Sequence, residues 1–293
     1  MDYVSQLRAL PKNHDFFVGI DSDGCVFDSM EIKQQECFCP SFIKHYNLQA
    51  ASKYARQVWL FVNLYSKTRG CNRYLAVQRA LNLIQERPEF AARGLAGKNI
   101  PSLDAWIDEE PKRGIPTLTA KVKASGDEAL AAVLAWAEEA DARILDLVHG
   151  VPPFPGVRES LEKLTGKADM IVVSQTPFAA LDREWREHSI DSYVGYIAGQ
   201  EAGTKTQHIE YAASGKYDAD KILMIGDAPG DLKAAKGNNA LFYPILPGNE
   251  EASWARFHDE AIDKFLACEY AGAYEAELLA EFDKALPELP PWK

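Results

Sequence analysis

The pattern of apolar and polar positions changes character twice along the chain. Residues 16–20, Phe-Phe-Val-Gly-Ile, form a short apolar run with the length and bulk of a buried parallel strand. The run ends in Asp21-Ser22-Asp23-Gly24. From about residue 30 to residue 149, β-branched runs become rare and helical spacing takes over. Residues 54–65 are apolar on most faces and predict a buried helix. Tyr74, Leu75, Val77, Leu81 and Ile84 make a helical stripe over 72–87, which Pro88 stops. Pro101 opens a short helix through Trp106, and 126–148, rich in Ala, Leu and Glu, predicts a long one. Pro40 is expected to break or kink a helix over 31–46. This stretch reads as one all-helical module of about 120 residues.

Val151-Pro-Pro-Phe-Pro-Gly-Val157 punctuates the chain again, and strands then alternate with helices. Helices are predicted over 157–164, 179–188, 206–213 and 232–236. Strands are predicted over 169–174, 193–198, 221–227 and 240–245. Alternation of this kind calls for a doubly wound parallel sheet. Residues 250–286 read as two appended helices, with Trp254, Phe257, Phe265, Leu266, Tyr270, Leu278, Leu279 and Phe282 as candidate buried positions. Their apolar faces suit either packing on the core or a dimer face. The expected organisation is an α/β core of 1–29 and 150–293, discontinuous, with a helical cap of 30–149 inserted after the acidic strand tip, over which it would sit as a lid.

Composition narrows the function classes. The 293 residues, 47% hydrophobic and 26% charged, suffice for one large or two medium domains. The net charge of −11 argues against a general nucleic-acid or anionic-membrane binder. The N-terminus lacks a basic flank before an apolar core, and no apolar run approaches the ~20 residues of a membrane span. Five scattered cysteines, an odd number, fit a reducing, cytoplasmic setting better than a disulfide framework. Cys37-Phe-Cys39 has no zinc spacing and is expected within a helix.

Chemistry is concentrated at the strand ends. A strand puts residues i and i+2 on one face, so Asp21 and Asp23 leave the tip together, and Gly24 lets the backbone turn. Two carboxylates so close suit a cation between them, or one acid doing chemistry while the other moves a proton. In isolation Asp-Ser-Asp-Gly reads slightly better as a solvated turn, and that reading gives way only once the rest of the chain is taken in. Later strand ends carry Ser174, then Lys205 in Gly-Thr-Lys-Thr, then Gly226-Asp227-Ala-Pro-Gly-Asp231. Ser174 alone would read as a turn cap, Lys205 as a surface lysine and Asp231 as a helix N-cap.

Taken together and in this order, these motifs resemble the haloacid dehalogenase-like (HAD) hydrolase superfamily, in its phosphatase type with a helical cap. Pro153-Phe-Pro-Gly-Val157 is similar to the stretch with which that family often re-enters its core. The resemblance covers roughly 15–30 and 150–246; it is weaker over the insertion and does not reach the C-terminal helices. It implies a Rossmann-like α/β core with an inserted helical cap, Mg²⁺ as cofactor, and a small phosphorylated metabolite as substrate. It further implies Asp21, the Asp23 carbonyl and Asp227 as metal ligands, with Asp231 orienting a metal-bound water or Lys205.

The residue types suit that chemistry. A carboxylate nucleophile splits phosphate-ester hydrolysis into two easier steps, and Asp21 is placed for it. Asp23 could protonate the leaving alkoxide and later deprotonate water. Ser174 would donate to phosphoryl oxygens, and Lys205 would neutralise charge on nucleophile and phosphate. In the helical module, Lys67, Arg69 and Arg73, with Tyr65 and Asn72, form a small basic group that could reach an anionic substrate; solvent-exposed helix ends are the plainer reading. Asp23 argues against the dehalogenase and phosphonatase branches, which typically lack that acid. A sugar-phosphate mutase and a HAD-like protein that binds without turnover stay open beside the phosphatase.

Overall fold

The computed structural model describes residues 2–293. Phe16–Ile20 (β1) is the central strand of a five-stranded parallel sheet. Its neighbours are Ala168–Val173 (β2) and Ile222–Gly226 (β4), with Tyr196–Ala198 (β3) and Leu241–Pro244 (β5) at the edges, in the order β3-β2-β1-β4-β5. Val18 lies level with Met170 on one side and Leu223 on the other. The period of two sorts the strands onto two cores. Val18, Ile20, Val172 and Ile225 join one face, while Phe17, Ile171, Val173 and Met224 join the other. Burial on both faces explains why these strands read as unbroken apolar runs.

The contacts divide the chain into two compact units, Met1–Ser29 with Gly150–Leu286, and Met30–His149 with Pro287–Lys293. The first carries the sheet. Its helical run Glu250–Arg256, continued through Phe257–Ala261 and Ile262–Leu266, and its helix Ala273–Ala285 are core-packed: Trp254, Phe257 and Phe265 on the first run and Tyr270 in the connection are fully buried, and Phe282 lies against Phe242 of β5 at 5.5 Å. Leu266 and Leu279 are only partly buried.

The second unit is helical and organised on aromatic rings. Trp59 packs on Phe42 at 4.8 Å and on Trp136 at 5.8 Å, and Tyr74 packs edge-on to Trp106 at 4.9 Å. Pro40 does not break the helix. The run continues from Ser29–Ile32 through a π-helical turn, Lys33–Phe38, into Cys39–His45. The widened turn accommodates a residue that has no N–H to give to the preceding turn. Cys37 and Cys39 lie buried on this run, and burial pushes the Cys39 thiol up to about 12.

Other boundaries shift. The strand expected over 193–198 keeps only Tyr196–Ala198, because Asp191–Tyr193 forms a 3₁₀ turn. A helix at Ile115–Ser125, begun by Pro116, had no clear stripe to announce it. Pro287–Lys293, which the sequence reading left with the sheet domain, belongs to the helical unit. There the Trp292 ring stacks over Arg87 at 4.6 Å and meets Phe61 edge-on at 5.6 Å. Among the described residues no helix is long and apolar enough to cross a membrane.

Candidate active site

All four motifs lie in the sheet unit, at the carboxyl ends of its strands, where open α/β sheets bind ligands. The Asp21 N–H continues the ladder to the Ile225 carbonyl at 3.0 Å, so Asp21 is fixed as an extension of β1. The chain then tightens. The Ser22 carbonyl accepts the N–H of Val26 at 2.9 Å and of Phe27 at 3.1 Å, and Gly24, at φ 77°, donates to the Phe27 carbonyl at 2.8 Å. Ser22 is turned inward, where its Oγ accepts the indole N–H of Trp185 at 3.1 Å. The loop is held again from Glu250–Arg256, since the Trp254 indole donates to the Cys25 carbonyl at 2.7 Å.

Lys205 opens the helix Lys205–Ala213. Thr204 caps that helix: its Oγ1 accepts the Gln207 N–H at 3.3 Å, and Gln207 Oε1 accepts the Thr204 N–H at 3.0 Å. Gly203 reaches φ 117°, a turn that glycine makes without strain. The Lys205 ammonium lies 2.8 Å from Asp21 Oδ2 and 2.6 Å from Asp231 Oδ1. Asp231 sits in the first turn of Pro229–Gly237 and accepts the Ala228 N–H at 3.0 Å with its other oxygen. Asp227 follows β4 directly and is 1% exposed.

The electrostatics are those of excess buried negative charge. Burial first, then Asp231, pushes the Asp21 carboxyl well up, against the opposing pull of Lys205. Burial likewise raises Asp231, with Lys205 again opposing. Burial lowers Lys205, but Asp21 and Asp231 outweigh it and hold the ammonium above its ordinary value. One oxygen each of Asp21, Asp227 and Asp231 lies within 4.8 Å of the others, and all three side chains are buried. A hard divalent cation with oxygen ligands at about 2.1 Å fits a donor set of that kind and offsets charge that one lysine leaves uncompensated.

Ser174 follows β2 directly, with its N–H on the Ala198 carbonyl at 3.0 Å. Asp23 is gripped on both oxygens: Ser29 Oγ donates to Oδ1, and Thr176 Oγ1 donates to Oδ2 at 2.7 Å. Sequence reasoning singled out neither hydroxyl. Thr176 stands 153 residues from Asp23, and Ser174-Gln-Thr-Pro reads as an ordinary turn. The available signal was the second hydroxyl beside Ser174 at the same strand tip.

Lys67, Arg69 and Arg73 lie in the helical unit. Arg73 is engaged there: it pairs with Asp141 at 2.6 Å and lies over the Phe38 ring at 4.9 Å. Arg69 is buried and donates to the Leu64 carbonyl at 3.0 Å, and the Lys67 N–H donates to the Pro287 carbonyl at 3.3 Å. Asn72 caps the helix Arg73–Gln85.

Comparison with curated proteins finds no match. The chain is similar in structure to a protein from Lactobacillus delbrueckii subsp. bulgaricus assigned by prediction as a phosphoglycolate phosphatase, at a TM-score of 0.51 and 15% identity over 86% of this chain and 98% of that one. It is also similar to a HAD-superfamily hydrolase of subfamily IA, variant 1, from Geobacter sulfurreducens, at a TM-score of 0.40 and 15% identity over 80% and 88% of the two chains. At 15% identity the likeness to the Lactobacillus protein speaks for the fold alone. The model of the haloacid dehalogenase-like hydrolases matches residues 18–239, a span that takes in the acidic tip of β1, Ser174, Lys205, Asp227 and Asp231. The chain belongs to the haloacid dehalogenase-like hydrolase family.

Proposed function

We propose that this protein is a Mg²⁺-dependent phosphatase that hydrolyses a small phosphorylated metabolite through a phosphoaspartate on Asp21. The observation that carries the reading is the convergence on Asp21 of one buried ammonium and two further buried carboxylates, with Asp23 two residues away. Asp21 would attack phosphorus while the ester P–O bond breaks, and the Asp23 carboxyl would give its proton to the leaving oxygen. In the second step Asp23 would take a proton from water as the water oxygen bonds to phosphorus and the Asp21–phosphoryl bond breaks. Ser174 would donate to a phosphoryl oxygen. Lys205 would hold the Asp21 carboxylate and neutralise developing charge. Asp21, Asp227 and the Asp23 carbonyl would hold the ion, and Asp231 would orient a metal-bound water or the Lys205 ammonium it pairs with. Bound there, Mg²⁺ would neutralise phosphoryl charge so that one anion can approach another. Lys67, Arg69 and Arg73 of the helical unit would be the basic side chains for the substrate's anionic group; Arg69 is buried and Arg73 is paired with Asp141.

The test is phosphate release from a panel of phosphorylated metabolites, with Mg²⁺ and with EDTA, beside Asp21→Asn. Release that needs Mg²⁺ and falls at least a thousandfold in the variant supports the reading. No release from any member, with the protein folded, would count against it and favour a mutase or a non-catalytic binder.

A further inference from the structure

The loop that follows β2 does more than present Ser174. The Thr176 carbonyl accepts the Gln200 N–H at 3.1 Å, the Phe178 N–H donates to Glu201 Oε2 at 3.0 Å, and Gln175 Nε2 donates to the Gly203 carbonyl at 2.9 Å. Residues 175–178 are thus stitched to 199–203, the loop that delivers Lys205. The two run so close that a Cβ on Gly199 would meet the Phe178 nitrogen at 2.7 Å and the Thr176 oxygen at 2.9 Å.

Fixed in this way, Thr176 aims two donors. Its backbone N–H donates to Ser174 Oγ at 3.2 Å, and its hydroxyl donates to Asp23 Oδ2 at 2.7 Å. A serine oxygen that already accepts an amide proton must direct its own proton elsewhere, which leaves that proton for an acceptor arriving from outside. A carboxylate that receives a hydroxyl on Oδ2 loses rotational freedom, and a donor in a preset position gives up little entropy on reacting. The turn itself is closed by backbone and glutamate contacts, so it does not need the threonine hydroxyl.

We propose that Thr176 is a positioning residue of this site, its hydroxyl setting the Asp23 carboxyl for proton transfer to the leaving oxygen and its amide setting the Ser174 hydroxyl toward phosphate. The proposal rests on the phosphatase reading above. Removal of the hydroxyl then lowers kcat/KM, which reports the step in which the leaving group departs, only where that group needs a proton.

The experiment compares wild type, Thr176→Val and Thr176→Ser on two substrates, an alkyl phosphate such as glycerol phosphate and the aryl ester p-nitrophenyl phosphate, whose leaving group departs without protonation. The expected result is a loss of kcat/KM of at least about tenfold for Thr176→Val on the alkyl ester, less than threefold on the aryl ester, and recovery in Thr176→Ser. Equal losses on both esters, no loss on either, or no recovery in Thr176→Ser would overturn it. If wild type hydrolyses neither ester, the phosphatase reading is what fails. Crystal structures of wild type and Thr176→Val then decide the positioning role: a turned Asp23 carboxyl supports it, and an unmoved one overturns it.

Discussion

His208 is a single residue with a measurable consequence. It lies on Lys205–Ala213, three residues beyond Lys205, with no exposed surface. Burial pulls its imidazole from 6.5 down to about 4; the Gly203 and Gly199 backbone opposes the fall, and the Lys205 charge adds to it. The folded chain therefore refuses a proton that the unfolded chain takes up between about pH 4 and 6.5. Its contribution is fully present above that window and is lost as pH falls through it, by on the order of 2–3 kcal/mol. Urea unfolding at pH 7 and pH 4.5 should show wild type losing about 2 kcal/mol more than His208→Phe over this interval. An equal loss in both proteins would show that the imidazole is not held neutral by the fold. Little in the sequence marks this histidine, because its burial depends on which face of its helix turns inward.

At the scale of the element, each site residue is placed by a strand end and the turn after it. The tip of β4 is the tightest. A Cβ on Gly226 would lie 2.4 Å from Asp231 Cβ and 2.6 Å from its Oδ2. Gly226→Ala must push aside the carboxylate that holds Lys205, so kcat/KM for a phosphate ester should fall by about 100-fold. Overpacking should cost about 1–3 kcal/mol in stability. Kinetics and thermal melting on the one variant check both; activity like wild type would mean that Asp231 is not needed where it stands. This is also where the sequence was most legible. Apolar runs ending in Asp21, Ser174 and Asp227 announced buried strands with polar tips, and the sheet places them at one edge. Thr176 and Ser29 were not legible, because each acquires its meaning from a partner brought by the fold and looks locally like any turn or helix-start residue. Trp254 was legible as a buried ring, but not as the donor that pins the Cys25 carbonyl.

At the scale of the whole molecule, the two units hold separate cores: one of aromatic rings among helices, the other of apolar layers, aliphatic and aromatic, on each face of a sheet. The helical core is completed by the last residues of the chain. Arg87, itself buried, lies between the Tyr54 ring at 4.7 Å and the Trp292 ring at 4.6 Å, and Trp292 also packs on Phe61. Lys293 pairs with Glu86 at 2.5 Å. Pattern reading could not assign this segment, since seven residues with three prolines carry no period. Its consequence is local. Trp292→Ala removes one face of a stacked guanidinium and a ring contact, which should cost about 1–2 kcal/mol. Because stability is distributed among cooperative units, that loss should fall on the helical unit alone. Hydrogen exchange should therefore quicken in Ser52–Asn63 and Arg73–Gln85 by about tenfold, while protection of β1 and β4 stays as in wild type. Equal quickening in the strands would mean that the two cores open as one.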